Sequence, residues 1–422
     1  MADIPFDKHY ESTLAIARDP YRFISLRSKE VGSDVFTTRI LLQKHICMIG
    51  RDAAELFYDE TRFQRQGAAP SRIVKTLFGR GGVQTLDDEE HKQRKRLFTS
   101  LITPESVVPL GERLRLELRS AAMRWAEKPE VVLYQELQEV ITRAVCSWAG
   151  VPLAESETKQ RASELMALFD KAGSMGPPHW WARLARKRAD RWIAGMIEQI
   201  RRRELQPPEG SAAHVMAFAR DPKGAFLTPH VAAVELINVL RPTVAVSVFI
   251  TFAALALHEH PEVRIKVAGG DPAYLEAFAQ EVRRFYPFFP MTGALVRRDF
   301  QWKGLEFKKG MTALLDLYGT DHDPRLWDQP NLFRPERFLR AQPDLFSFIP
   351  QGGGDSHVTH RCPGEPISVE LLKVSAEFLT REIKFAAPAQ DLRIDMSRLP
   401  ALPRSRFRMA NLSVVHPAAV GS

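Results

Sequence analysis

A single cysteine in a glycine-rich loop is the first candidate for chemistry. Cys362 stands near the end of Gly352-Gly-Gly-Asp-Ser-His-Val-Thr-His-Arg-Cys-Pro-Gly, and the apolar residues after it recur at helical spacing. The free N–H groups of a helix start favour a thiolate, and the neighbouring glycine lets a flat ligand approach the backbone. Cys362 is therefore a candidate metal ligand or nucleophile, although a cysteine in such a place is more often an inert small side chain.

Two other chemistries fit parts of the same loop. The glycines could cradle a phosphate, but the Gly-Lys-Ser/Thr sequence that such a loop needs does not follow them. His357, His360 and Cys362 could bind zinc, but no fourth ligand stands at an ordinary spacing. Neither is favoured.

A group of charged residues precedes this loop. Glu281 and Arg284 stand three apart on a predicted helix, so they can pair on one face. The apolar neighbours Phe278 and Phe285 predict partial burial of the pair, which then requires a further partner such as Arg337. An exposed ion pair of little energetic value is the alternative.

The most unusual charge stands in the middle of a long apolar segment. The sequence predicts one helix from Pro229 to His260, and Arg241 and Pro242 interrupt its apolar run. Pro242 removes a backbone hydrogen bond and predicts a kink. Burying the charge of Arg241 without an anion would cost several kcal/mol. The anion is either a protein carboxylate or, as we favour, a substrate carboxylate held by two parallel hydrogen bonds.

The elements that must position these residues form one mostly α-helical unit. Helical periodicity prevails from Glu89 to about Lys266, whereas strand-like alternation is confined to Val35–Ile49 and Ala294–Tyr318. No repeat or flexible linker divides the chain. We therefore predict that residues 1–422 form a single, mainly α domain, in which a large helical part is joined to a small β-rich subdomain.

Composition excludes several classes of protein. With 45% apolar and 26% charged residues, the 422-residue chain is not disordered. Its net charge of +8 would suit an anionic partner, but the basic residues between positions 186 and 203 carry no nucleic-acid recognition motif. Three scattered cysteines argue against a disulfide framework. With no signal sequence and no uninterrupted apolar run of membrane-spanning length, we expect a cytoplasmic protein without a membrane span.

The order of the motifs resembles that of the cytochrome P450 superfamily. They occur along the chain as Glu281-x-x-Arg284, then Pro335-Glu-Arg337-Phe338, then Phe348 leading into the loop of Cys362. The resemblance implies the cytochrome P450 fold, haem b with Cys362 as its thiolate ligand, and a Glu/Arg/Arg cluster that braces the preceding meander. It also implies that the haem propionates are bound by Arg65, His91, Lys95 and His360.

Two departures from the common family pattern point to one branch. The cysteine loop is lengthened, and His360 stands where a basic residue is usual. The long helix carries Arg241-Pro242 in place of the acid and threonine that oxygen-activating members use to deliver protons. Together with Phe78-Gly-Arg-Gly-Gly-Val-Gln84, these features resemble the fatty-acid peroxygenase branch, which hydroxylates or decarboxylates fatty acids with hydrogen peroxide.

This resemblance implies a hydrogen-peroxide-dependent hydroxylase of long-chain fatty acids that requires no dedicated reductase. The substrate carboxylate would dock on Arg241, bring its alpha carbon, and next its beta carbon, to the iron, and act as the acid–base in peroxide cleavage. Gln84 favours hydroxylation, because the alkene-forming members carry histidine there. The implied catalytic residues are Arg241, Pro242 and Gln84, and the implied acyl-channel residues are Phe78, Phe288 and Phe289.

Three alternatives stay open. Within the same branch, the protein could be a decarboxylase that forms terminal alkenes. A conventional monooxygenase would need a redox partner such as ferredoxin, which the +8 charge would suit. A haem- or fatty-acid-binding sensor would capture the lipid on Arg241 without oxidising it.

Overall fold

A computed structural model describes residues 3–340 and 342–415. Within these ranges the chain forms sixteen α-helices and ten β-strands. The helices are α1 (Thr13–Arg18), α2 (Phe23–Val31), α3 (Arg51–Phe57), α4 (Ser71–Ile73), α5 (Asp88–Leu101), α6 (Pro104–Ala126), α7 (Leu133–Ala149), α8 (Glu155–Asp170), α9 (Pro177–Arg201), α10 (Ala212–Ala217), α11 (Pro229–Glu259), α12 (Pro261–Gly269), α13 (Pro272–Phe285), α14 (Leu317–Asp321), α15 (Arg337–Arg340) and α16 (Glu365–Glu377). The strands are β1 (Val35–Ile40), β2 (Gln43–Met48), β3 (Phe63–Gln64), β4 (Glu130–Val132), β5 (Met291–Val296), β6 (Phe300–Trp302), β7 (Leu305–Phe307), β8 (Thr312–Asp316), β9 (Ile383–Ala386) and β10 (Arg408–Val414).

Helix α11 is the centre of the helical body. It packs against α7, α8, α9 and α16, and its side chains are buried almost without interruption from Ala232 to Leu257. Its length and composition would allow a membrane span, but 94% of its most apolar 18-residue window is buried in the protein, as expected of a core helix. The helix continues through Pro242 as one element.

The predicted strand regions are confirmed, but the expectation that strands occur nowhere else is wrong. Strands β1, β2, β8, β5 and β3 form a sheet in that order, in which only the β2–β8 pair is parallel. A second sheet has the order β4-β10-β9, and β6 and β7 form a hairpin. The second sheet escaped prediction because β4 has only three residues and because a register shift between Ala410 and Ser413 breaks the alternation of β10.

The predicted Glu/Arg/Arg cluster is formed and buried. Arg284 donates from Nε and Nη2 to the two carboxylate oxygens of Glu281, at 2.7 and 2.8 Å. Arg337 Nε lies 3.1 Å from Glu281 Oε2. Arg284 Nη1 also donates to the carbonyl oxygens of Asp321 and Pro330. The cluster thereby fixes the irregular segment that leads to the cysteine loop, and the alternative of an exposed ion pair is wrong.

Candidate active site

Cys362 lies three residues before the first residue of α16, at the end of a loop held by its own backbone hydrogen bonds. Its N–H donates to the carbonyl of Gln351 at 3.0 Å, and the N–H of Gly364 faces its sulfur. Burial raises the pKa of the thiol, and the Gly364 N–H and the cations Lys95 and Arg283 partly oppose this rise. A metal ion at the sulfur would convert the thiol to a thiolate.

Lys95 connects α5 to the cysteine loop. Its ammonium donates to the carbonyl oxygens of Thr359, at 2.9 Å, and Arg361. Burial lowers the pKa of Lys95 to about 8. Lys95 is therefore a buried cation beside the cysteine, paired with neutral carbonyls.

Two histidines stack beside this lysine. The rings of His91 and His360 lie 3.8 Å apart at 20°. Burial lowers the pKa of His91 to about 4 and that of His360 to about 3, so both are neutral at pH 7. Within the described part of the chain, His91 Nδ1 and His360 Nε2 are buried and lack a hydrogen-bond partner.

Arg65 completes this group of buried cations and donors. Its guanidinium packs over the ring of Phe57 at 4.3 Å, and burial lowers its pKa. The guanidinium donates to the carbonyl oxygen of Phe57 at 3.4 Å, and it forms no ion pair with a carboxylate among the residues described. Buried cations without a carboxylate partner call for an external anion. With the sulfur of Cys362 close by, these residues fit a haem: the cysteine would bind the iron, and Arg65, His91, Lys95 and His360 would face the propionates.

The zinc hypothesis for the cysteine loop is not supported. His357 is exposed and lies beside Asp355, and it forms no ligand cluster with His360 and Cys362 among the residues described. His360 instead lies near His91 and Glu60, with possible ligand atoms within 4.8 Å of one another. The neighbouring Arg65 and Lys95 make this position unfavourable for a metal cation.

Arg241 is buried on α11, and no carboxylate in the described part of the chain pairs with it. It is 6% exposed, and its single hydrogen bond to a described residue runs from Nη2 to Asn238 Oδ1, at 3.1 Å. Its Nε is buried and has no partner in the described chain. Burial, together with the charge of Arg186, lowers the pKa of Arg241 to about 9. The alternative of an internal carboxylate partner is therefore wrong for this structure.

Asn238 links Arg241 to Gln84. Its Nδ2 donates to Gln84 Oε1 at 3.2 Å and to Glu235 Oε2 at 3.1 Å. The nearest acid on the helix is engaged, because Arg94 on α5 donates to Glu235 Oε1 at 2.6 Å. The carboxylate of Glu235 is thus paired with Arg94, and among the described residues Arg241 keeps the amide oxygen of Asn238 as its partner.

The predicted aromatic residues lie in two places. Phe78 ends a π-helical turn and is half-buried against the main core. Phe288 stacks on Phe249 of α11 at 4.4 Å and meets Phe289 edge to face at 4.6 Å. Phe249 stands eight residues, or about 12 Å, beyond Arg241 along the helix. The Phe288 pair thus lies farther along α11 than Arg241, and a channel lined by these rings remains a prediction.

Asn238, Glu235 and Arg94 are site residues that sequence reasoning missed. Glu235, Asn238 and Arg241 stand three apart, so they share one helix face, and polar residues at that spacing in an apolar helix are a usable signal. Arg94 offers no such signal, because its partner Glu235 is 141 residues away.

This chain is similar to several known proteins, and the similarity to solved structures extends over nearly its whole length. The "Cytochrome P450" family model matches residues 272–396. Cytochrome P450SP alpha (CYP152B1), solved in complex with (R)-ibuprofen, is 51% identical, with 96% of this chain and 99% of that chain covered and a TM-score of 0.94. Cytochrome P450EX alpha (CYP152N1), solved with myristic acid, is 42% identical, with 98% and 100% covered and a TM-score of 0.93.

Two proteins of lower sequence identity are also cytochromes P450. A variant of cytochrome P450 OleT, solved with arachidonic acid, is 33% identical, with 99% of this chain and 100% of that chain covered and a TM-score of 0.95. The putative cytochrome P450 137 of Mycobacterium tuberculosis is 25% identical over 373 residues, which are 82% of this chain and 76% of that protein.

Proposed function

We propose that this protein, which belongs to the fatty-acid peroxygenase branch of the cytochrome P450 family, hydroxylates long-chain fatty acids with hydrogen peroxide. Members of this family bind haem b through a cysteine thiolate. The oxygen enters at the alpha carbon, with the beta carbon as the second position. One fatty acid and one hydrogen peroxide give one hydroxy acid and one water. No reductase is needed, since peroxide brings both the oxygen atom and the oxidising equivalents.

The buried guanidinium of Arg241 carries this proposal. Its charge lies in the protein core with an amide oxygen as its described partner, and Nε is left over. A fatty-acid carboxylate would supply the missing anion and accept two parallel hydrogen bonds from the guanidinium. Tethering the acid at this end holds the carbons next to the carboxylate nearest the reacting centre.

The protonation chemistry around Arg241 also favours a carboxylic acid substrate. Thr243, the nearest hydroxyl after Pro242, donates back to the carbonyl of Val239 at 2.9 Å and is held in its own helix. Glu235 is neutralised by Arg94. Neither side chain is free to deliver a proton, so the substrate carboxylate on Arg241 would act as the acid–base. When bound, haem supplies the iron at which peroxide oxygen is transferred, and Cys362 holds that iron.

The experiment is product analysis with purified haem-loaded protein. Myristic acid and hydrogen peroxide without reductant should give 2-hydroxymyristic acid and a minor 3-hydroxy product, whereas methyl myristate, which has no carboxylate, should give neither. Formation of tridecene as the main product would show a decarboxylase. Product that requires NADPH, ferredoxin and ferredoxin reductase, in the presence of catalase, would show a monooxygenase. Binding of myristic acid without any product would show a sensor.

A further inference from the structure

We infer that Asn238 is a positioning residue, which sets the hydrogen-bonding direction of Gln84 and the orientation of the Arg241 guanidinium. Hydrogen bonds link the buried side chains of Arg241 and Asn238 to the half-buried side chain of Gln84, and Asn238 also bonds to buried Glu235. The inference deepens the proposed function, on which it rests, by assigning how the carboxylate site is held in shape.

The direction of each of these hydrogen bonds follows from the chemistry of arginine. A guanidinium can only donate, so the oxygen of the Asn238 amide must face Arg241. The Asn238 nitrogen must then face Gln84 and Glu235, and both must offer an oxygen to it. Either amide flip would place two donors against each other in a buried site, which is costly. The orientation of both amides is therefore fixed by the charge at Arg241.

An ion pair anchors the other end. Glu235 is fully buried, accepts from Asn238 Nδ2 and from Arg94 Nη1, and also faces the N–H of Val83. Arg94 Nη1 reaches the carbonyl of Gly81 at 3.3 Å. The segment before Gln84 is thus held against α11 by the same charges that hold Asn238.

Close packing of the backbone at Gly82 against Asn238 supports this arrangement. A Cβ atom added at Gly82 would lie 3.0 Å from Asn238 Nδ2 and 2.9 Å from the carbonyl oxygen of Phe78. Gly82 therefore allows the backbone to approach Asn238 closely enough for Gln84 to reach it.

The consequence is that Gln84 presents a donor. Its Oε1 is occupied by Asn238, and none of the residues described accepts a hydrogen bond from its Nε2. The amide nitrogen is left for an acceptor outside the chain, and a fatty-acid carboxylate on Arg241 supplies acceptor oxygens. Asn238 thus orients two donors, the guanidinium of Arg241 and the amide of Gln84, for one anion.

The first measurement is the Kd for myristic acid, obtained by titrating the haem-loaded protein and following haem absorbance. The second is turnover, from which kcat, KM and the ratio of 2-hydroxy to 3-hydroxy product are determined. Asn238→Leu should raise the Kd about tenfold, the effect of losing one hydrogen bond to a charged group. Asn238→Asp should raise it by about a hundredfold, because an internal carboxylate would pair with Arg241. Thr251→Val is the matched control, since Thr251 is buried on the same helix and bonds to the Ser247 carbonyl.

Two further variants test the path through Gln84. If Asn238 acts through it, Asn238→Leu should raise the Kd less in a Gln84→Leu background than in the wild type. Gln84→Glu should bind myristic acid more weakly than Gln84→Leu, because it would present an anion in place of a donor. This comparison leaves Asn238 intact and so holds even if Asn238 variants do not fold.

The outcomes separate the inference from the proposed function. Unchanged affinity and product ratio in folded Asn238→Leu, or tighter binding in Gln84→Glu than in Gln84→Leu, would overturn the inference while leaving the function standing. A wild-type protein that binds no fatty acid would overturn the function, and the substrate role of Asn238 with it. A change in product ratio in Asn238→Leu but not in Thr251→Val supports positioning, since loss of stability alone would not move that ratio.

Discussion

Replacing Arg241 with leucine should greatly weaken fatty-acid binding without destabilising the protein. The guanidinium is buried, and its pKa falls well below the usual arginine range, to about 9, because burial disfavours its charge. A pKa change of this size corresponds to roughly 5 kcal/mol against the charged form in the free protein. Most buried arginines are paired with an acid and stabilise that acid, whereas none of the described carboxylates depends on Arg241.

The magnitudes follow from the contacts. Arg241→Leu removes an unpaired buried charge, so the free energy of unfolding at pH 7 should stay unchanged or rise by about 1–4 kcal/mol. The same change removes two charge-assisted hydrogen bonds to the substrate carboxylate, together worth about 3–6 kcal/mol. The Kd for myristic acid should therefore rise by a factor of about 10² to 10⁴.

The assay combines denaturant unfolding with myristic acid titration of the haem-loaded protein. Arg284→Leu is the matched control, because Arg284 is equally buried but paired with Glu281. Leaving that carboxylate without Arg284 should cost about 3–5 kcal/mol of stability. The reasoning is refuted if Arg241→Leu loses as much stability as Arg284→Leu, or if it binds and oxidises myristic acid like the wild type.

Three further predictions concern the same site. Myristic acid affinity should be constant from pH 6 to 8 and weaken above pH 9, because Arg241 in the free protein, with its lowered pKa of about 9, loses its proton there. Titrations with myristic acid at pH 7, 9 and 10 measure this change, and an affinity at pH 10 equal to that at pH 7 would contradict it. Cys362→Ala should lose the red-shifted Soret band of the reduced carbon monoxide complex, and a retained band would remove the cysteine as iron ligand. Glu235→Gln should lower the free energy of unfolding by about 3–5 kcal/mol, because Arg94 would be left buried without its carboxylate; unchanged denaturant unfolding would contradict this.

The helical part of the fold was predictable because its periodicity is local. Helix α7 begins and ends at the predicted Leu133 and Ala149, and α11 begins at the predicted Pro229. Helix α6 begins eight residues before the predicted Glu112, where Thr103 and Ser106 form a capping box.

The second sheet could not be predicted from local pattern. Strands β9 and β10 pair across more than twenty residues, and β10 pairs on its other side with β4, far earlier in the chain. Such pairing depends on the tertiary fold, and the bulge in β10 hides the alternation that would have marked it as a strand.

Site residues could be predicted where the local sequence shows why a charge needs a partner, and they could not be predicted where the partner comes from a distant part of the chain. The Glu281, Arg284 and Arg337 cluster followed from apolar neighbours around opposite charges, and it is confirmed. The isolation of Arg241 depended on whether an acid would reach it. That question was settled by Arg94, whose pairing with Glu235 spans 141 residues and leaves no trace in local sequence.

A crystal structure of the haem-loaded protein with myristic acid tests the central claim most directly. The account predicts both carboxylate oxygens within hydrogen-bond distance of the Arg241 guanidinium, one of them also reached by the Gln84 amide nitrogen, and the alpha carbon as the substrate carbon nearest the iron. A carboxylate bound elsewhere, with Arg241 turned to pair with Glu235, would contradict it.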